Sequence, residues 1–202
     1  MNEFDKRIER IKAFGKNPAT LRSLLTDHED RATAIMIGGI IDDLLALGIL
    51  AKFKRSPSEN QTLELFTGYG PLSSLSARTS IGYLLGIIGA DAKHDLGIIR
   101  RIRNDFAHIV EPINFETKSI ADRCNSLKLQ PKLSEDIEKS AGTGARGKFL
   151  RSAIRIFGLL ILNSQLALEE RKLIGLHQKE LRAAAEAAMK PGPIGRKPLT
   201  FE

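Results

Sequence analysis

Apolar residues recur every three or four positions along almost the whole chain, and no run alternates as a strand would. The pattern predicts helices over about 2–14, 19–27, 30–54, 74–88, 90–110, 116–128 and 145–189. The 30–54 stretch is apolar almost all round, with Ile37, Ile40, Ile41, Leu44, Leu45 and Ile49, which marks a central helix. Asp27 or Asp30 stands where an N-cap belongs. Gly38 and Gly39 in its middle each cost about 1 kcal/mol of helix propensity and permit a close helix crossing in return.

Punctuation divides these elements. Gly15-Lys16-Asn17-Pro18, the polar turn from Arg55 to Asn60, and Phe66-Thr67-Gly68-Tyr69-Gly70-Pro71-Leu72 read as breaks. Ser73 or Ser74 caps the next helix, and Ile88-Gly89-Ala90 turns the chain into the one after it. Pro112 disfavours helix at Glu111, so that helix stops by about Val110. Gly142-Thr143-Gly144 reads as a hinge, and Pro191-Gly192-Pro193 ends order. The expected fold is an all-α antiparallel helical bundle with a long C-terminal helix. Residues 1–29 form an N-terminal helical extension, 30–128 a helical core, 129–190 a linker and a long basic helix packed on that core, and 191–202 a disordered tail.

Composition narrows the function. Of 202 residues 42% are apolar, enough for a core, and the net charge of +7 favours acidic partners such as RNA or DNA. The single Cys124 excludes an internal disulfide and a cysteine-based zinc site. His28, His94, His108 and His177 are scattered without ligand spacing, so neither a metal nor another cofactor is expected. The N-terminus is charged from the start, unlike a signal peptide. The most apolar run, Phe157 to Leu168, is broken by Asn163, Ser164 and Gln165 and is short for a bilayer. A cytoplasmic protein without a membrane partner is expected.

Candidate chemistry concentrates in Arg103-Asn104-Asp105-Phe106-Ala107-His108. Arginine is always charged and grips phosphate in a fork, while histidine exchanges a proton near neutral pH. Leu96, Ile99, Ile102, Phe106 and Ile109 define the apolar face of this helix, and His108 falls roughly 150° from its centre. Arg100, Asn104 and His108 therefore form a polar ridge, with Arg103 on its flank. The ridge is either solvated or faces a second subunit, a ligand or both, and a homodimer would place two copies together. In the central helix, Asp43 shares a face with Met36, Ile40 and Leu47. Either the helix exposes this edge, or Asp43 pairs with an arginine such as Arg78 or Arg103. Lys148, Arg151 and Arg155 line one stripe of the last helix, facing solvent or the phosphates of a nucleic acid. Gly70-Pro71 lacks the Lys-Ser/Thr of a nucleotide loop.

The block from Phe66 to His108 resembles the mannitol operon repressor (MltR-like) family. The matching residues are Gly70-Pro71-Leu72, Leu75-Ser76-Ala77-Arg78, Tyr83-Leu84-Leu85-Gly86-Ile87-Ile88 and Leu96-Gly97-Ile98-Ile99-Arg100-Arg101-Ile102-Arg103-Asn104-Asp105-Phe106-Ala107-His108. The helix around Asp42-Asp43-Leu44-Leu45 is similar too, so the resemblance spans about 30–128, and the basic helix from Ala145 lies outside it. It implies an all-α intracellular regulatory protein of the transcriptional type without a recognised DNA-reading motif, acting through protein or nucleic-acid partners. Arg103, four residues, then His108 also resembles the signature of HEPN domains. Those are helical bundles that often dimerise, and many of them cut RNA without metal, some in toxin or defence systems. That likeness implies Arg103 and His108 as a catalytic pair, with Asn104 as a supporting polar residue; Arg100 on the ridge and a pair between Asp43 and an arginine such as Arg78 would support that site.

Overall fold

A computed structural model describes residues 28–189, and all seven elements among them are helices. They are α1 (Asp30–Lys52), α2 (Glu59–Phe66), α3 (Leu75–Leu84), α4 (Ala90–His108), α5 (Lys118–Asn125), α6 (Glu135–Ala141) and α7 (Gly144–Met189). The helices expected at 2–14 and 19–27, and the tail 191–202, lie outside the described residues.

α1 is the axis of the bundle, packed by α3, α4 and α7. Ile37, Ile41, Leu45 and Ile49 are fully buried, as an all-round apolar helix requires. Each such side chain contributes about 1.5–3 kcal/mol on burial. Asp30 is the first residue of α1 rather than its cap. Its carboxylate accepts from the Phe115 amide at 2.9 Å and from Arg146 at 2.9 Å, so it ties three parts of the chain together.

The core does not stop at residue 128. Phe149, Leu150, Ala153, Ile156 and Leu160 of α7 are fully buried, and Phe115 bridges Phe106 and Phe149 with ring centroids 5.2 and 5.0 Å apart. Beyond Leu160 the helix carries exposed leucines at positions 162, 166, 173, 176 and 181. α1, and α7 through Leu181, are long and apolar enough to cross a membrane by length and composition, which the Phe157–Leu168 run alone is not. More than half of the apolar window in α1 is buried inside the bundle.

Three local features depart from the pattern reading. The polar turn after α1 leads into α2, opened by a capping box between Ser58 and Gln61. α3 begins after the Ser74 cap and ends at Leu84, because Gly86 takes a positive φ of 69° and lets the amides of Ile87 and Ile88 bond back to Gly82. The polar stretch before the hinge contains α6.

Candidate functional site

Three elements meet in a cleft of about 290 Å³. α1 contributes Gly38, Gly39 and Asp42; the loop and first turn of α3 contribute Ser73, Ser74, Leu75 and Ser76; α4 contributes Arg100, Arg103 and Asn104. The glycines set its shape. A Cβ on Gly38 would stand 2.8 Å from Cγ of Arg103, so the bare backbone lets the Arg103 stem lie against α1. A Cβ on Gly39 would meet nothing within 4 Å, so this residue leaves open space.

Two of the three residues of the predicted polar ridge, with Arg103 on its flank, face this cleft. Arg100, Arg103 and Asn104 are half-buried in its wall, and Arg103 Nη1 donates to Asn104 Oδ1 at 3.2 Å. His108 is exposed in the last turn of α4 and is not among the cleft residues. Arg31 holds that helix end, donating to the carbonyls of Phe106 at 2.7 Å and Ile109 at 3.0 Å.

Arg78 does meet an acid of α1, but the acid is Asp42 rather than Asp43, at 2.7 Å. Adjacent residues on a helix point about 100° apart, and only the position of α3 selects between them. Arg78 is buried and also donates to the carbonyls of Leu72 at 2.6 Å and Phe66 at 2.8 Å. It clamps the end of α2 and the following loop onto α1, with its guanidinium stacked over the Phe66 ring. Asp43 is buried in α1. Gly70 belongs to the same packing: a Cβ there would stand 2.2 Å from the Glu64 carbonyl oxygen.

The basic stripe of α7 is largely committed within the fold. Arg151 donates to Glu138 at 3.0 Å and to the Gly142 carbonyl at 3.2 Å, and Lys148 donates to Asn125 at 2.9 Å. Arg155 is exposed. Side chains that satisfy neighbouring carboxylates and carbonyls have little left for a phosphate backbone.

No family model matches the chain, and no curated protein matches it. The chain is similar to one in the X-ray structure of the MtlR-HPr complex from Escherichia coli, with 18% identity and a TM-score of 0.46, over 79% of this chain and 99% of that one.

A second polar centre, at the other end of α4, escapes the pattern reading. Asp95 is fully buried and accepts from the amides of Lys128 at 3.0 Å and Leu129 at 2.9 Å, from Ser152 Oγ at 2.7 Å, and lies 3.0 Å from His94 Nδ1. Its signal was available: Asp95 stands four residues before Ile99, in register with the apolar stripe. A serine, a histidine and a carboxylate meet here without making a nucleophile. Ser152 bonds the acid instead of the imidazole and is fully buried. Cys124 is inert for a related reason: burial pushes its thiol pKa from 9.0 up to about 12, against the opposing pull of Lys148 and Arg123.

The cleft thus combines the permanent positive charge and amide of α4 with the hydroxyls at the start of α3, against the glycines and the paired Asp42 of α1. That set can bind an oxyanion and orient it.

Proposed function

We propose that this chain is a cytoplasmic regulatory protein of the mannitol-repressor-like type, acting through a bound partner rather than by chemistry of its own. The observation that carries this reading is the separation within α4. Arg100, Arg103 and Asn104 line a cleft, while His108, the histidine that would exchange the proton in a HEPN-type reaction, stands outside it. A general acid or base must reach the proton it moves, within hydrogen-bond distance or through one water. The cleft therefore has the parts for binding and lacks the histidine of the motif, and the one carboxylate that lines it, Asp42, is paired with Arg78. The block that resembles the repressor family supports the same reading. Gly70, Leu72, Arg78 and Gly86 serve packing and turns, while Leu75, Ser76, Arg100, Arg103 and Asn104 of the same block line the cleft.

A second reading is favoured by the exposure of His108 at the end of α4. In a homodimer, a two-fold axis can bring two copies of the Arg103–His108 segment together, and the resemblance to HEPN-type, metal-independent ribonucleases implies these residues as the catalytic pair. Sedimentation that returns a monomer at tens of micromolar removes this reading.

One experiment separates the two. Purified protein is incubated with structured and unstructured RNAs in EDTA, and the products are resolved on a denaturing gel. The regulatory reading predicts intact RNA. Fragments ending in a 2′,3′-cyclic phosphate, lost in His108→Ala, would overturn it.

A further inference from the structure

We propose that the cleft between α1, α3 and α4 binds a small phosphate monoester, gripped by Arg100, Arg103 and Asn104 and faced by Ser73, Ser74 and Ser76. The proposal rests on the regulatory reading above and names the effector class of that site.

The first observation is what the other buried and half-buried arginines do. Among the described residues Arg78, Arg123, Arg146 and Arg151 each meet a carboxylate, and Arg31 is bonded to three backbone carbonyls. Arg100 and Arg103 are half-buried as well, yet neither stands in an ion pair among the described residues. Partial burial weakens hydration of a guanidinium, and an oxyanion replaces it with short charge-assisted bonds.

The second is charge. Asp42 shares the cleft, but Arg78 balances it at 2.7 Å. Arg100 and Arg103 then leave the cleft about two positive charges in excess. A phosphate monoester carries about −1.5 to −2 at neutral pH, which matches; a carboxylate or a phosphodiester carries one charge and does not.

The third is shape. At about 290 Å³ the cleft lies at the lower limit of small-molecule pockets, so its occupant is small. Donors come from α4 on one wall and from the serines on the other, over a floor that Gly39 leaves bare. Donors converging from several directions suit a tetrahedral group with three terminal oxygens better than a planar one.

The test uses the full chain with glycerol 3-phosphate and inorganic phosphate, followed by calorimetric titration and thermal unfolding against sodium chloride of equal ionic strength. Both anions should raise the Tm above the chloride control. Arg100→Gln should weaken binding at least about tenfold, since it removes charged hydrogen bonds. Gly39→Leu should fold normally, because its Cβ enters open space, and should not bind. Absence of binding to the parent protein overturns the proposal. Unchanged affinity in both variants overturns it too, placing the anion elsewhere on the basic surface. A single-stranded RNA that binds and is lost in these variants, while glycerol 3-phosphate does not bind, reassigns the cleft to a phosphodiester. Intact RNA in EDTA without monoester binding refutes the ligand alone; cleaved RNA refutes the regulatory reading whatever the monoester does.

Discussion

The two ends of α4 present polar groups to the bundle in opposite ways. Near the start, Asp95 is sealed from solvent and meets two amides, a hydroxyl and an imidazole. Near the end, Arg100, Arg103 and Asn104 are half-buried beside an empty volume. The helix is the same, and so is its apolar stripe. A charge far from water is tolerated only when its bonding capacity is satisfied, and Asp95 meets that condition through the fold itself. It fixes the chain after α5 against α4 and α7. The arginines are charged whatever surrounds them, and the fold leaves them facing a cleft. Saturation by the fold marks a structural group; incomplete saturation at the rim of a cavity marks a binding group.

The largest effect expected from this contrast is at Asp95. Asp95→Ala leaves two part-buried amides and the buried Ser152 hydroxyl without their acceptor, at up to about 1–3 kcal/mol for each orphaned donor. Because these costs do not add fully, we expect a loss of about 3–5 kcal/mol in denaturant unfolding. A loss below about 1 kcal/mol would break the comparison, since Asp95 would then not be holding its neighbours.

A smaller effect separates the two glycines of α1. Gly38→Ala drives a methyl toward Cγ of Arg103 at 2.8 Å. Overpacking of this kind costs about 1–3 kcal/mol, and the gain in helix propensity returns about 1. Gly39→Ala meets nothing and should stabilise by up to about 1 kcal/mol. The pair measures the cleft directly, by thermal unfolding of both variants. Equal shifts would mean that Arg103 does not lie against Gly38 as described.

Much of this architecture was legible in the sequence. Helix α1 announces itself by apolar residues on all sides, α4 by a single stripe, and α7 by its length. Local chemistry also forecast a cap at Ser73 or Ser74, which Ser74 makes, and a close approach at Gly38 and Gly39, where only Gly38 is met, by the Arg103 stem. The placement of Arg100 and Asn104 away from the apolar stripe followed from helix period alone. What stayed hidden depends on how elements meet. Asp42 and Asp43 are adjacent on a buried helix, and only the docking of α3 chooses Asp42 for Arg78. The Lys148, Arg151 and Arg155 stripe looked available because α6 was read as loop, and Arg151 is bonded to Glu138 of that helix. The short helices α2 and α6 carry too few turns for a period to show. His108 shares a ridge with Arg100 and Asn104 by angle, but the cleft that α1 and α3 enclose takes in Arg100, Arg103 and Asn104 and stops short of the last turn of α4, where Arg31 of α1 holds the carbonyls instead.

The central claim is that the cleft end of α4 exists for binding and the Asp95 end for folding. Denaturant unfolding of Arg100→Gln, measured with and without glycerol 3-phosphate, tests it most directly. The predicted result is an unfolding free energy within about 0.5 kcal/mol of the parent protein, as for a side chain outside the packed core, with the ligand-dependent gain in stability lost. A loss of several kcal/mol with the ligand-dependent gain intact would contradict it, and would make Arg100 a second structural anchor like Asp95.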